Sequence, residues 1–127
     1  MQITFDNSSN RPIYQQIIDH IKRDIALGRL KIGEKLPTVR HLASTLVINP
    51  NTIAKAYRQL EKDGIIITRP GAGAFIAELS TNLSLEVRSS ILIEQIELLL
   101  VEAIHMNISS GQLNEWLKNA MEKFKFE

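Results

Sequence analysis

Five stretches of this chain carry apolar residues at helical spacing, and two short runs between the third and fourth read as strands. In the first, Ile13, Ile17, Ile21 and Ile25 recur every fourth residue, with Tyr14 and Ile18 widening the stripe. Pro12 falls at its opening, an expected N1 position, and Gly28 ends it. A second, shorter helix is predicted where Val39, Leu42, Ala43 and Leu46 share one face. Pro37 precedes it, and Thr38 is the expected N-cap. The third announces its start with Asn49 as N-cap and Pro50 at N1, where proline's missing N–H costs nothing. Ile53, Ala56, Tyr57 and Leu60 make its buried stripe, and Gly64 closes it. Lys35 and Leu36 offer a short strand before the helix pair, and Ile3 and Phe5 a further edge contact.

After Gly64 the pattern changes. Ile65 to Arg69 and Ala74 to Ala77 are β-branched or aromatic runs flanking Pro70-Gly71-Ala72-Gly73, which predicts a hairpin. Three small helices, the last two joined by a tight turn, followed by a hairpin give a winged helix-turn-helix. Residues 84 to 106 then carry apolar residues around most of a helix, more than one face against a small domain can satisfy. Ser109 and Gln112 match a capping box, and the last helix has its stripe at Leu113, Trp116, Leu117, Ala120, Met121 and Phe124. Two such helices bury too little surface alone, so a second copy of the chain is the expected partner. Leu92, Ile96, Leu99, Trp116, Leu117 and Phe124 are the expected dimer contacts. The fold class is therefore mainly α with a small β-hairpin. A DNA-binding domain is expected over residues 1 to 78 and a helical dimerisation segment over 79 to 127.

Charge sharpens this division. The net charge of +1 conceals eleven Lys/Arg against six Asp/Glu in residues 1 to 77, and four against eight in the remainder. The basic half contains the helix pair, and its third helix exposes Asn51, Thr52, Lys55, Arg58, Gln59 and Lys62. Amides and cations are the groups that donate to base edges and phosphates. An ordinary solvated face is the alternative for an isolated helix, but here the order helix, turn, helix, hairpin favours DNA.

Other chemistry is weakly supported. The two wing glycines lack the third glycine and following helix of a nucleotide fingerprint. His20, His41 and His105 have no metal-ligand spacing, and no nucleophile sits beside a base, so neither a metal, a cofactor nor an enzyme is expected. Zero cysteines fit a reducing cytoplasm. No apolar run is long enough to span a membrane, and the N-terminus is not a signal peptide.

Pro12 to Ile17, Gly28 to Arg40, Asp63 to Ile66 and Gly71 to Ile76 together resemble the DNA-binding domain of the GntR family of bacterial transcription regulators. The Asn49-Pro50-Asn51-Thr52 start and the short C-terminal part are similar to its small YtrA-like subfamily. The resemblance implies a homodimeric repressor that binds a palindromic operator in double-stranded DNA, with no effector identified. It implies DNA contacts at Thr38 and Arg40, at Asn49, Asn51 and Thr52, and in the wing at Gly71, with Arg69 beside it. Many relatives place arginine where this chain has Pro50, so base reading is expected to shift to Asn51, Thr52, Lys55 and Arg58. A winged-helix module that binds protein instead of DNA is the alternative.

Overall fold

The computed structural model describes residues 3–6 and 8–126. It contains, in order, α1 (Ile13–Ala26), α2 (Val39–Leu46), α3 (Pro50–Lys62), β1 (Ile66–Arg69), β2 (Gly73–Ile76), α4 (Leu85–His105) and α5 (Ser110–Lys123). The chain divides into two compact units, one ending at Ser80 and the other beginning at Thr81.

The first unit is built on the stripes that the sequence presents. Ile17, Ile18 and Ile21 of α1 meet Leu42 and Ala43 of α2 and Ile53, Ala56, Tyr57 and Leu60 of α3. α3 is the central element, packing against both α1 and α2 and touching β1. Ile66 and Ile76 close the core from the hairpin, and Ile3 and Phe5 lie against its edge. Pro12 occupies the N-cap position of α1 and not N1, because its ψ of 152° is extended. The Thr38 hydroxyl caps α2 by accepting from the His41 N–H, and the Asn49 side chain caps α3 by accepting from the Asn51 N–H. Gly64, at φ 75°, supplies the left-handed residue that ends α3.

The hairpin pairs Ile66 with Ile76 and Arg69 with Gly73, leaving only Pro70 to Ala72 as its turn, one residue fewer than the breaker run suggests. A third segment lies along β2. The Gly33 N–H donates to Ile76 O, the Ile76 N–H to Glu34 O, and the Leu36 N–H to Ala74 O. Lys35 and Phe75 thus form a bridge where a short strand was expected. Among the described residues, Asp24 is the charged one buried in this unit. Its main-chain carbonyl accepts from the Arg29 and Leu30 N–H groups, and its carboxylate lies 3.5 Å from His20 and 3.6 Å from Arg29. This clip ties the end of α1 to the segment leading to α2, and no apolar pattern announces it.

The second unit consists of α4 and α5. Ser84 and Ser109 cap the two helices through the N–H groups of Val87 and Gln112. Between them Asn107 takes a left-handed conformation at φ 59°, and the Ile108 N–H bonds back to Ala103 O. The two helices do not pack along one another. Their apolar side chains are consequently exposed, from Leu85 through Leu99 to Ile104, and at Trp116, Leu117 and Met121. Among the described residues, no helix is long and apolar enough to cross a membrane.

Candidate nucleic-acid interface

The surface opposite the core of α3 is assembled from three elements. α3 presents its N-terminal turn, α2 lies before it in the helix pair, and the hairpin flanks its C-terminal half. Asn51, Lys55, Arg58, Gln59 and Lys62 are exposed on α3, Thr38 and Arg40 at the start of α2, and Arg69 and Gly71 at the hairpin tip. Thr52 is half-buried. Glu61 is exposed as well, an acid that the basic face was not expected to include. It is turned toward the hairpin, where the Thr68 hydroxyl donates to it at 3.1 Å.

The helix caps decide what two of these residues can offer. The oxygens of Thr38 and Asn49 already accept from their own helices, at 3.1 and 2.8 Å. Each keeps its donors free, the hydroxyl hydrogen of Thr38 and the amide NH2 of Asn49, and donors are what a phosphate oxygen needs. The dipole of α3 adds partial positive charge at the same end.

Between α2, α3 and the hairpin lies an open cleft of about 320 Å³, whose floor includes Leu36, Pro37, Tyr57 and Ala74 and whose rim includes Thr38, Arg58, Thr68 and Gly73. Arg58 and Thr38, two expected contacts, thus line the same cleft. The Tyr57 hydroxyl donates to Pro37 O at 2.7 Å and fixes the approach of α3 to the start of α2. Burial pushes that hydroxyl up to about 12, so it stays neutral and a donor at ordinary pH.

Lys55 is placed differently from Arg58. Its ammonium sits 3.9 Å from the ring centroid of Tyr14 on α1, a cation–π contact that holds the charge at the α1 edge of the surface. Arg69 lies over the Phe75 ring at 5.1 Å, so the hairpin orients that guanidinium along its own face. Sequence reasoning missed Tyr14 and Tyr57 as positioning groups because their spacing marks them only as core. Among the described residues, no group of three or more His, Asp or Glu could hold a metal.

The model of bacterial regulatory proteins of the gntR family matches residues 13–76, half of the chain, including every one of α1, α2, α3 and the hairpin. The chain belongs to the gntR family. Among its curated relatives is the HTH-type transcriptional repressor YtrA of Bacillus subtilis (strain 168), 40% identical over 116 residues, which covers 91% of this chain and 89% of that one. This supports placing it in the small YtrA-like subfamily of gntR proteins. A crystal structure described as a transcriptional antiterminator from Listeria monocytogenes EGD-e superposes with a TM-score of 0.85 at 29% identity, over 98% of this chain and 92% of that one. The DNA-binding domain of AraR, solved in complex with operator ORR3, matches with a TM-score of 0.51 at 27% identity, over 61% of this chain and 93% of that one. The matched residues 13–76 lie within the first unit, and α4 and α5 belong to the part of the likeness that extends beyond the family model.

Proposed function

We propose that this gntR protein is a sequence-specific DNA-binding repressor that acts as a homodimer on an operator with two-fold symmetry. The observation that carries the reading is the pair of capped helix starts at Thr38 and Asn49. With one oxygen lone pair of each engaged in its cap, they keep a hydroxyl hydrogen and an amide NH2 free to donate, on the same surface as Arg40, Asn51 and Arg58. The operator complex of AraR, on the same kind of domain, supports DNA as the ligand. The repressor named YtrA, similar along most of both chains, supports the sign of regulation.

The dimer reading is supported by the apolar surface that α4 and α5 leave uncovered. Leu85, Leu92, Ile96, Leu99 and Ala103 recur at intervals of seven, four, three and four along one side of α4, Val87, Ile91, Leu98 and Val101 lie along the opposite side, and Ile93, Leu100 and Ile104 lie between them. α5 adds one stripe through Leu113, Trp116, Leu117 and Phe124. A single chain leaves these side chains exposed, and its two helices do not pack along one another. With two chains, α4 meets its counterpart on one side and the partner's α5 on another. A dimer also sets two recognition helices on half-sites roughly 34 Å apart, one turn of DNA.

Duplexes selected from a randomised library by the full-length protein test the proposal, with affinity measured across salt concentrations. A symmetric consensus is expected, with log K falling by about 0.9 for each phosphate neutralised per log unit of salt. A flat salt response with no consensus would overturn it.

A further inference from the structure

The left-handed backbone conformation is assigned to glycine at the ends of α1 and α3, where Gly28 and Gly64 have φ of 77° and 75°. At the end of α2 it is assigned to Val47, with φ 56° and ψ 52°. A β-branched side chain crowds the backbone there, and such residues are genuine outliers in that region. The strain is not offset by packing, because Val47 is 89% exposed. Within the free protein this position carries two penalties, strained backbone and exposed apolar surface, that glycine would avoid. Asn107 and Lys125 also take positive φ, but neither is β-branched.

The position of Val47 indicates where the compensation lies. It is the turn of the helix-turn-helix, two residues before Asn49, so its Cα lies within about 7 Å of the capped start of α3. A recognition helix enters the major groove by that end. The apolar group that the major groove displays is the C5-methyl of thymine, which marks one strand of an A·T pair. Backbone strain of this kind persists where a functional contact demands it.

We infer that Val47 is a specificity-determining residue of this protein, packing its isopropyl group on a thymine methyl at the edge of each half-site. The inference rests on the DNA-binding reading above and adds to it a contact made by shape and hydrophobicity instead of hydrogen bonding. It also accounts for a position where base reading is needed, since Pro50 supplies no side-chain donor at the start of α3.

The test uses the full-length protein and its selected operator, with each thymine replaced singly by uracil. Removing the methyl at one symmetric pair of positions is expected to weaken wild-type binding about fourfold per half-site. Val47→Gly is expected to bind the thymine and uracil duplexes equally at that position while retaining the losses at all others. Val47→Asn, which tolerates the left-handed conformation but is polar, should behave as Val47→Gly does. Both variants should melt at higher temperature than the wild type, which separates folding from reading. If wild type and both variants respond identically to uracil at every position, the inference is overturned while DNA binding stands. If no duplex is selected at all, the DNA-binding reading fails first, and the inference with it.

Discussion

Tyr57 and Pro37 both line the cleft between α2, α3 and the hairpin, and a 2.7 Å hydrogen bond joins the phenol of one to the main-chain carbonyl of the other. The bond sets where α3 stands relative to Thr38, the first residue of the α2 cap, and so couples a core residue to the proposed phosphate contacts.

Tyr57→Phe keeps the ring and leaves the carbonyl without its donor, at a cost of about 1 kcal/mol in unfolding free energy. The hydroxyl ionises at 10 in the unfolded chain and at about 12 in the folded one. Its contribution to stability is therefore complete below pH 10 and is lost as pH rises through about 12. Denaturant titrations at a series of alkaline pH values should show a steeper decline for wild type than for Tyr57→Phe. Parallel declines would mean that Tyr57 is ionised as easily in the folded state.

Asn49 allows capping and DNA contact to be separated. Asn49→Asp retains the acceptor for the Asn51 N–H and places a favourable charge at the helix start, so the melting temperature should hold or rise. The outward amide donor is replaced by a carboxylate facing phosphates, and operator affinity should fall at least tenfold. Asn49→Ala should instead lose about 1 kcal/mol of stability with a smaller loss of binding. Equal operator affinity for Asn49→Asp and wild type would remove Asn49 from the interface.

Arg58 and Lys55 should differ in kind. Arg58 lines the cleft that Thr38 also lines, whereas Lys55 is held over Tyr14. Arg58→Ala should cost on the order of 1–3 kcal/mol and relax the preference at one base pair. Lys55→Ala should weaken all duplexes evenly and lower the salt slope by about 1. A reversed pattern, read in a competition assay over single-base operator variants, would rotate the proposed placement of α3 in the groove.

Much of this was legible from residue type. Asn49-Pro50 and Thr38 behind Pro37 are local signals whose partners lie within three residues, so spacing alone places both caps. The three isoleucines at the centre of α1 declare their face by period. What was not legible depends on distant partners or on backbone conformation. Nothing in the string Leu46-Val47-Ile48 says that valine takes a left-handed conformation, because its composition favours extended backbone. Lys55 reads as a free cation until Tyr14, forty-one residues earlier, is placed beneath it. Nothing in the local pattern marks Asp24, which the fold encloses between His20 and Arg29.

Gly73 and Gly71 both have positive φ, at 117° and 75°, but only Gly73 is crowded, because a Cβ there would stand 2.9 Å from Lys35 Cε. Gly73→Ala must displace the Lys35 side chain as well as strain the backbone. It should lower stability by about 1–3 kcal/mol and loosen the hairpin's hold on the cleft. Gly71→Ala meets open space and should cost about 1–2 kcal/mol. Thermal melts of the two variants compare them, and a Gly73→Ala protein no less stable than Gly71→Ala would mean that Lys35 moves freely.

Cutting the chain after Ser80 keeps the whole first unit with its core. The fragment should fold, sediment as a monomer and lose most operator affinity. Replacing Leu92 and Leu99 by Asp in the full chain should have the same effect by setting charge in the proposed interface. A wild-type protein that sediments as a monomer at micromolar concentration would refute the dimer.

The open arrangement of α4 and α5 has a consequence for pairing. In the proposed dimer neither helix has a covered apolar face until both chains are present, so dissociation and loss of the helical module are one event. Subunits then exchange no faster than that module unfolds. Two related regulators made in the same cell would then form mixed pairs either during synthesis or by passing through that unfolded module.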